Sequence, residues 1–353
     1  MSGEAMLIDG IHIPLTVPFY RDGNSYLRKL EHNVGRYSLT PAAGLVVLGP
    51  GSEASTLSDA ETDEVLQAVG QSASREKVLI AGIAKDSVRR AVAMAESAER
   101  ASFDSVLLAA PHTLLPDAEL ALFFRAVADA SPLPVLLWSH ATAPSRQLPI
   151  TLVAELAEHT NIIGLYDADL SVERYGLIAT ATASVRRDVT VTTTFAPVTR
   201  RMVVPESGEG PATFVSAESL GGGSALAVAT PKATIKTRTK TVGFQVMAAG
   251  DASELLPLLE AGVPGALPRL AACSPQACHE VFAAFKDGDP TLSAEKAKRL
   301  RMADEVMRQL GVAGIKYGCD LNGYFGGSPR LPRLPLNIEQ RELVEVALRE
   351  LRN

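Results

Sequence analysis

The sequence predicts an α/β protein: a (β/α)8 barrel with a β-rich insertion between helix 6 and helix 7 and a C-terminal helical extension. Three observations carry this. Six short apolar runs alternate with helical patterns between Gly10 and Arg186. The runs are solidly apolar, as expected of parallel strands buried on both faces. Their steady spacing is that of a βα unit, roughly 30 residues, and 353 residues suit a barrel with additions better than an open doubly wound sheet.

The first run is Gly10-Ile-His-Ile-Pro-Leu-Thr-Val-Pro18, bounded by Gly and Pro. Helical spacing follows over Ser25 to Leu39, with Leu27, Leu30, Val34 and Tyr37 on one side. Gly44 to Leu48 is the second strand and runs into the Gly-rich turn Gly49-Pro-Gly-Ser-Glu53. Ser58 and Glu61 form a capping box for the next helix. Val78 to Gly82, Ser105 to Ala109, Val135 to Trp138 and Ile162 to Leu165 are the third to sixth strands. Asp86 or Ser87 starts the helix after the third, and a helix from Leu170 to Arg186 follows the sixth.

Beyond Arg186 the pattern changes to β-type sequence. Val189 to Thr194 is β-branched, and Glu206 to Gly210 and Gly221 to Ser224 are turn signals. Gly221-Gly-Gly is read as a flexible turn rather than a phosphate loop, because no strand-to-helix context surrounds it. Lys232, Lys236, Arg238 and Lys240 fall on one strand face, either an edge guarded against aggregation or a cationic patch for an anionic partner. Phe244 to Ala249 is expected to be the seventh strand, which sends the insertion out from the amino-end face. If Val189 to Thr194 were the seventh strand, the insertion would instead lie as a lid over the pocket. Gly265 to Leu267 is the eighth strand and Pro275 to Lys286 the last barrel helix. The C-terminal part reads as helices over Ser293 to Leu310, Ile315 to Phe325 and Ile338 to Leu351, with a non-helical, proline-rich linker at 326–336. The domain expectation is a barrel over 1–290, interrupted by the insertion at 188–242, and a helical region over 291–353.

Bulk chemistry narrows the function. Hydrophobic residues make up 46% and charged residues 21%, enough for a large core. The net charge of -6 disfavours a general nucleic-acid binder. The three cysteines lack metal-knuckle spacing, no His/Asp/Glu/Cys set has metal-ligand spacing, and neither a metal nor another cofactor is expected. No signal peptide or membrane-spanning run is read, so the expected compartment is the cytoplasm.

In such barrels chemistry sits at the carboxyl ends of the strands. That rule collects Thr16, Ser52, Glu53, His112, Trp138, Ser139, His140, Tyr166 and Asp167. His112 and His140 follow strand ends, where a histidine serves as a general base or as a packed loop residue. Tyr166 either hydrogen-bonds a ligand or fills space. Glu53 is read as bonding turn amides or the following helix terminus. Lys85 is the lysine expected at this rim.

Five stretches resemble the dihydrodipicolinate synthase / N-acetylneuraminate lyase family of Schiff-base aldolases. Gly10 to Phe19 is similar to its opening strand, and Gly49-Pro-Gly-Ser-Glu-Ala-Ser-Thr-Leu-Ser58 to its G-T-T-G-E-S-x-x-L-[ST] turn. Ile80 to Ala95 resembles its third βα unit, Asn161-Ile-Ile-Gly-Leu165 the approach to its lysine, and 326–336 its R-x-P-x-x-P segment. The resemblance covers nearly everything except 188–242. It implies a lyase (aldolase-type or hydro-lyase), a small oxo- or hydroxy-acid substrate and a homo-oligomer, dimer or tetramer.

The same resemblance places the family's Schiff-base lysine on Tyr166, its hydroxyl pair on Pro50 and Gly51, its proton-relay tyrosine on Trp138 and its tyrosine pair on His112 and Thr113. Arg146 is the nearest match to its carboxylate-gripping arginine. A phenol forms no imine, so the family's own mechanism is expected to be lost. Two readings follow: acid/base chemistry from His112, His140 or Tyr166, or a non-catalytic barrel used for binding or for assembly through the insertion.

Overall fold

The computed structural model describes residues 5–113, 115–141, 147–203 and 235–351. In chain order its elements are β1 (Gly10–Pro14), α1 (Leu27–Ser38), β2 (Gly44–Val47), α2 (Asp59–Ser72), β3 (Val78–Ile83), α3 (Val88–Arg100), β4 (Ser105–Ala109) and α4 (Asp117–Ala130). Then come β5 (Val135–Ser139), α5 (Ile150–Ala157), β6 (Ile162–Asp167), α6 (Val172–Ala181), β7 (Arg187–Thr192), α7 (Arg200–Val203), β8 (Thr237–Val242), β9 (Gln245–Gly250), α8 (Leu255–Glu260), β10 (Gly265–Pro268), α9 (Pro275–Lys286), α10 (Pro290–Leu321) and α11 (Ile338–Ala347).

Eight strands close the expected barrel in the order β1-β2-β3-β4-β5-β6-β9-β10, every pair parallel. The inward side chains form their own apolar cluster, which includes Val46, Ile80, Leu107, Leu136, Met247 and Leu267. A larger cluster fills the layer between strands and helices. Closure brings β1 and β10 so near that a Cβ on Gly265 would lie 2.1 Å from the Gly10 carbonyl oxygen. Only glycine fits there.

The predicted capping box on α2 is present: Ser58 accepts from the Glu61 amide at 3.2 Å, and Glu61 accepts from the Ser58 amide at 2.9 Å. Ser58→Ala is expected to cost about 1 kcal/mol, read as a lower urea midpoint. An unchanged midpoint would show that the cap contributes nothing.

β9 is the seventh barrel strand, as expected, and Val189 to Thr194 is not part of the barrel. β7 and β8 pair with each other as an antiparallel hairpin, from Arg187↔Val242 to Thr192↔Thr237. Val189 and Val191 pack on Leu7, just ahead of β1, which puts the hairpin at the amino end of the barrel. Gln245 clips the same N-terminal segment across that end: its Oε1 accepts from the Ile8 amide at 2.7 Å and its Nε2 donates to the Met6 carbonyl at 2.8 Å. On the hairpin Lys236 and Arg238 are exposed, and Arg238 lies 3.3 Å from the centre of the Phe195 ring. Lys232 and Gly221-Gly-Gly lie outside the described residues.

The two helices expected over Ser293 to Leu310 and Ile315 to Phe325 are the two segments of α10, separated where Gly311 leaves the helical conformation (φ 58°, ψ -144°); the second segment ends at Leu321. Each segment buries its own apolar residues, Leu300, Ala303 and Met307 before the glycine and Ile315 and Cys319 after it.

Candidate active site

β6 delivers Tyr166 inward, beside Trp138 of β5 and Met247 of β9 in the sheet register. Its ring is fully buried. A residue outside the expected set meets it there: His12 of β1, also fully buried, hydrogen-bonds the Tyr166 hydroxyl through Nδ1. Burial drives the His12 pKa down to about 3 and pushes the Tyr166 phenol well above its ordinary range, Asp9 adding to the latter. Both groups are therefore neutral near pH 7. We assign the phenol as donor to Nδ1, which leaves the ring proton on Nε2, an atom with no partner in the structure. A histidine inside an otherwise apolar strand was the available signal, since a buried polar ring needs a partner.

The next residue faces the other way, because side chains alternate along a strand. Asp167 is buried in the helix layer, where its Oδ2 accepts from Arg174 Nε at 2.8 Å and its Oδ1 from the Asp169 amide at 3.0 Å. It thus ties β6 to α6. Ser139 alternates in the same sense, and its hydroxyl accepts from the Leu148 amide at 3.1 Å.

The Gly-rich turn after β2 is likewise engaged. Ser52 donates to the Gly49 carbonyl at 2.6 Å, closing the turn. Glu53 adopts a left-handed conformation (φ 61°). Its partners are not the turn amides or the helix terminus anticipated. Oε1 accepts from the Arg330 amide at 2.9 Å, and Oε2 lies 2.5 Å from Lys316 Nζ. Both side chains of the pair are 1% exposed. Lys316 also donates to the Ser328 carbonyl at 3.0 Å and sits 4.3 Å from the centre of the Phe19 ring. Nothing in the helical spacing of α10 marks Lys316 as turned toward this rim; its partner is 263 residues away in sequence. Thr16 is buried near the Cys319 thiol and pulls its pKa down against the upward push of burial.

Of the remaining positions, Trp138 and His140 come together, their ring centroids 5.6 Å apart. Burial lowers the His140 pKa against the opposing pull of Asp169 and Asp167. His112 is exposed and held by Asp86, whose Oδ1 lies 3.0 Å from Nδ1 and accepts from the His112 amide at 2.7 Å. Lys85 pairs with Asp59 at 2.9 Å. Arg146 lies outside the described residues. The structure thus joins Tyr166 to His12 and Trp138 to His140, and ties Asp167, Glu53, Ser139, His112 and Lys85 to other partners. Among the described residues no group of three His, Cys, Asp or Glu side chains could hold a metal ion, and no helix is long and apolar enough to cross a membrane.

A parallel (β/α)8 barrel with its C-terminal helices folded back over one rim is an aldolase-type architecture. The model of the dihydrodipicolinate synthetase family matches residues 7–193, and the chain belongs to that family. The 4-hydroxy-tetrahydrodipicolinate synthase of Acidiphilium cryptum is 25% identical over 94% of both chains. That of Pseudoalteromonas atlantica is 32% identical over 48% of this chain and 58% of its own. Among solved structures, YagE of Escherichia coli K12, a prophage protein of the dihydrodipicolinic acid synthase family in complex with pyruvate, superposes with a TM-score of 0.76 at 21% identity, over 98% of this chain and 99% of that one.

Proposed function

We propose that this barrel binds or acts on a small oxo-acid without forming an imine. One observation carries the reading. At the position where the family resemblance places the Schiff-base lysine stands Tyr166, buried, un-ionised and hydrogen-bonded to His12. A phenol has no amine to condense with a carbonyl. Lys85, the rim lysine, is held by Asp59.

The test is intact mass after incubation with pyruvate and borohydride, beside Lys85→Ala. No adduct is expected. A stoichiometric adduct abolished by Lys85→Ala would overturn the proposal by restoring imine chemistry through another amine. An adduct that survives in Lys85→Ala would do so through a different lysine.

The second reading is a non-catalytic barrel kept for ligand binding or assembly. It is favoured by the separate partners of the two rim histidines: His112 is exposed and fastened to Asp86, while His140 leans on Trp138. Two bases this far committed elsewhere do not converge on one reacting atom. Cleavage or condensation of oxo-acids above the uncatalysed rate would decide for the enzyme.

A further inference from the structure

A cavity of about 320 Å³ lies between the loop after β1, α10, the segment that follows it and α11. Its volume falls within the range of small-ligand sites. Its walls are aromatic and fixed. Tyr20 and Tyr26 are stacked with centroids 3.8 Å apart, and Phe325 stands edge-on to Tyr26 at 5.4 Å. Tyr317 is anchored through its hydroxyl to Glu345 Oε1 at 2.5 Å.

Three charged groups join those rings in the lining. Arg21 and Arg341 are exposed guanidinium groups, Arg341 lying 5.4 Å from the Tyr317 ring centre. Asp320 is the carboxyl of the cavity. It accepts from the Gly326 amide at 2.8 Å, and burial raises its pKa. Stacked rings favour a flat ligand. Two guanidinium groups favour an anionic substituent, which they can grip in forked hydrogen bonds. The one carboxyl favours a ligand that also presents an N–H.

We propose that this groove binds a flat aromatic ring bearing both an amino group and an anionic group. The ring lies against Tyr20, its N–H faces Asp320, and its carboxylate or phosphate lies between Arg21 and Arg341. Two ligand types share this chemistry, an aminobenzoate and a purine nucleoside monophosphate. Because the two arginines come from the barrel rim and from the C-terminal extension, a bound ligand bridges them.

The experiment is isothermal titration calorimetry on the full chain with 4-aminobenzoate and with adenosine monophosphate. The controls are adenosine, which lacks the anion, benzoate, which lacks the amino group, and inorganic phosphate, which lacks both the ring and the amino group. Saturable binding of one aminated aromatic anion is expected, at least tenfold tighter than its controls. It should weaken at least tenfold in Arg341→Ala and in Tyr20→Ala, whose exposed side chains can be removed without opening the core. The responding probe tells the carboxylate source from the phosphate source. Binding of neither probe, equal binding of the controls, or binding indifferent to both substitutions would overturn the assignment. The variants' thermal midpoints establish that they are folded.

Discussion

Tyr166→Ala lowers the stability of the barrel by about 3–5 kcal/mol, the cost of removing a large buried aromatic side chain, and abolishes cooperative unfolding if the reserve is smaller. The ring is fully buried among inward residues of several strands, so its loss leaves a cavity that the closed sheet cannot collapse to fill. It also strips His12 of its hydrogen-bond partner. Tyr166→Phe keeps the volume and removes the hydroxyl alone, at about 1–3 kcal/mol for the stranded imidazole nitrogen. Denaturant unfolding of the two variants separates packing from polarity. Equal losses would show that the hydrogen bond carries the effect and that the ring's volume contributes nothing.

Acid unfolding should begin near pH 6.5 and carry the signature of His12. Its pKa in the fold is about 3 against 6.5 for an unburied histidine. Above 6.5 both states hold the ring neutral, and the full stability is present. Below 6.5 the unfolded chain takes up a proton that the folded chain refuses, so stability falls by about 1.4 kcal/mol per pH unit. The decline continues until the folded pKa is reached, by which point it amounts to about 5 kcal/mol. Asp9, Asp104, Asp304 and Asp320 have pKa values raised by burial and act in the opposite sense, holding protons longer in the fold. The comparison is therefore with His12→Gln, which can still accept from the Tyr166 hydroxyl but does not titrate. Between pH 6.5 and 5 the parent should lose about 2 kcal/mol more than the variant. Parallel pH profiles would mean that His12 is not the controlling group.

The strands and the order of the barrel were legible because a parallel strand buried on both faces writes itself as a continuous apolar run. The run around Leu136 and the run around Ile163 needed no long-range information. The face of the insertion was legible through Phe244 to Ala249, which reads as a strand followed by Gly250-Asp251 and a helix. Tyr166 was legible as a position through the strand-end rule. Its partner was not, because Tyr166 and His12 are separated by 154 residues and meet only when the barrel closes. Asp167 shows a different limit. Strand-end position marks a residue as near the mouth, but alternation decides which side it faces, and Asp167 faces Arg174 in the helix layer. Glu53 was legible as structural. Its partners Lys316 and Arg330 come from the far end of the chain, which no local spacing indicates.

The pairing of Glu53 with the C-terminal segment also sets the order of events as the chain is made. Glu53 waits 277 residues for the Arg330 amide, and Asn33 waits 292 for the Phe325 carbonyl. Domains tend to form from the N-terminus during synthesis, at about 5–20 residues per second. The β2 turn thus leaves the ribosome with a carboxylate whose ammonium partner does not yet exist. While water still reaches the turn, the charge costs little; it becomes expensive only once the rim is covered. Sealing this side of the mouth is therefore a late event, completed when α10 and the linker after it have emerged, and a nascent chain lacking them holds an open rim.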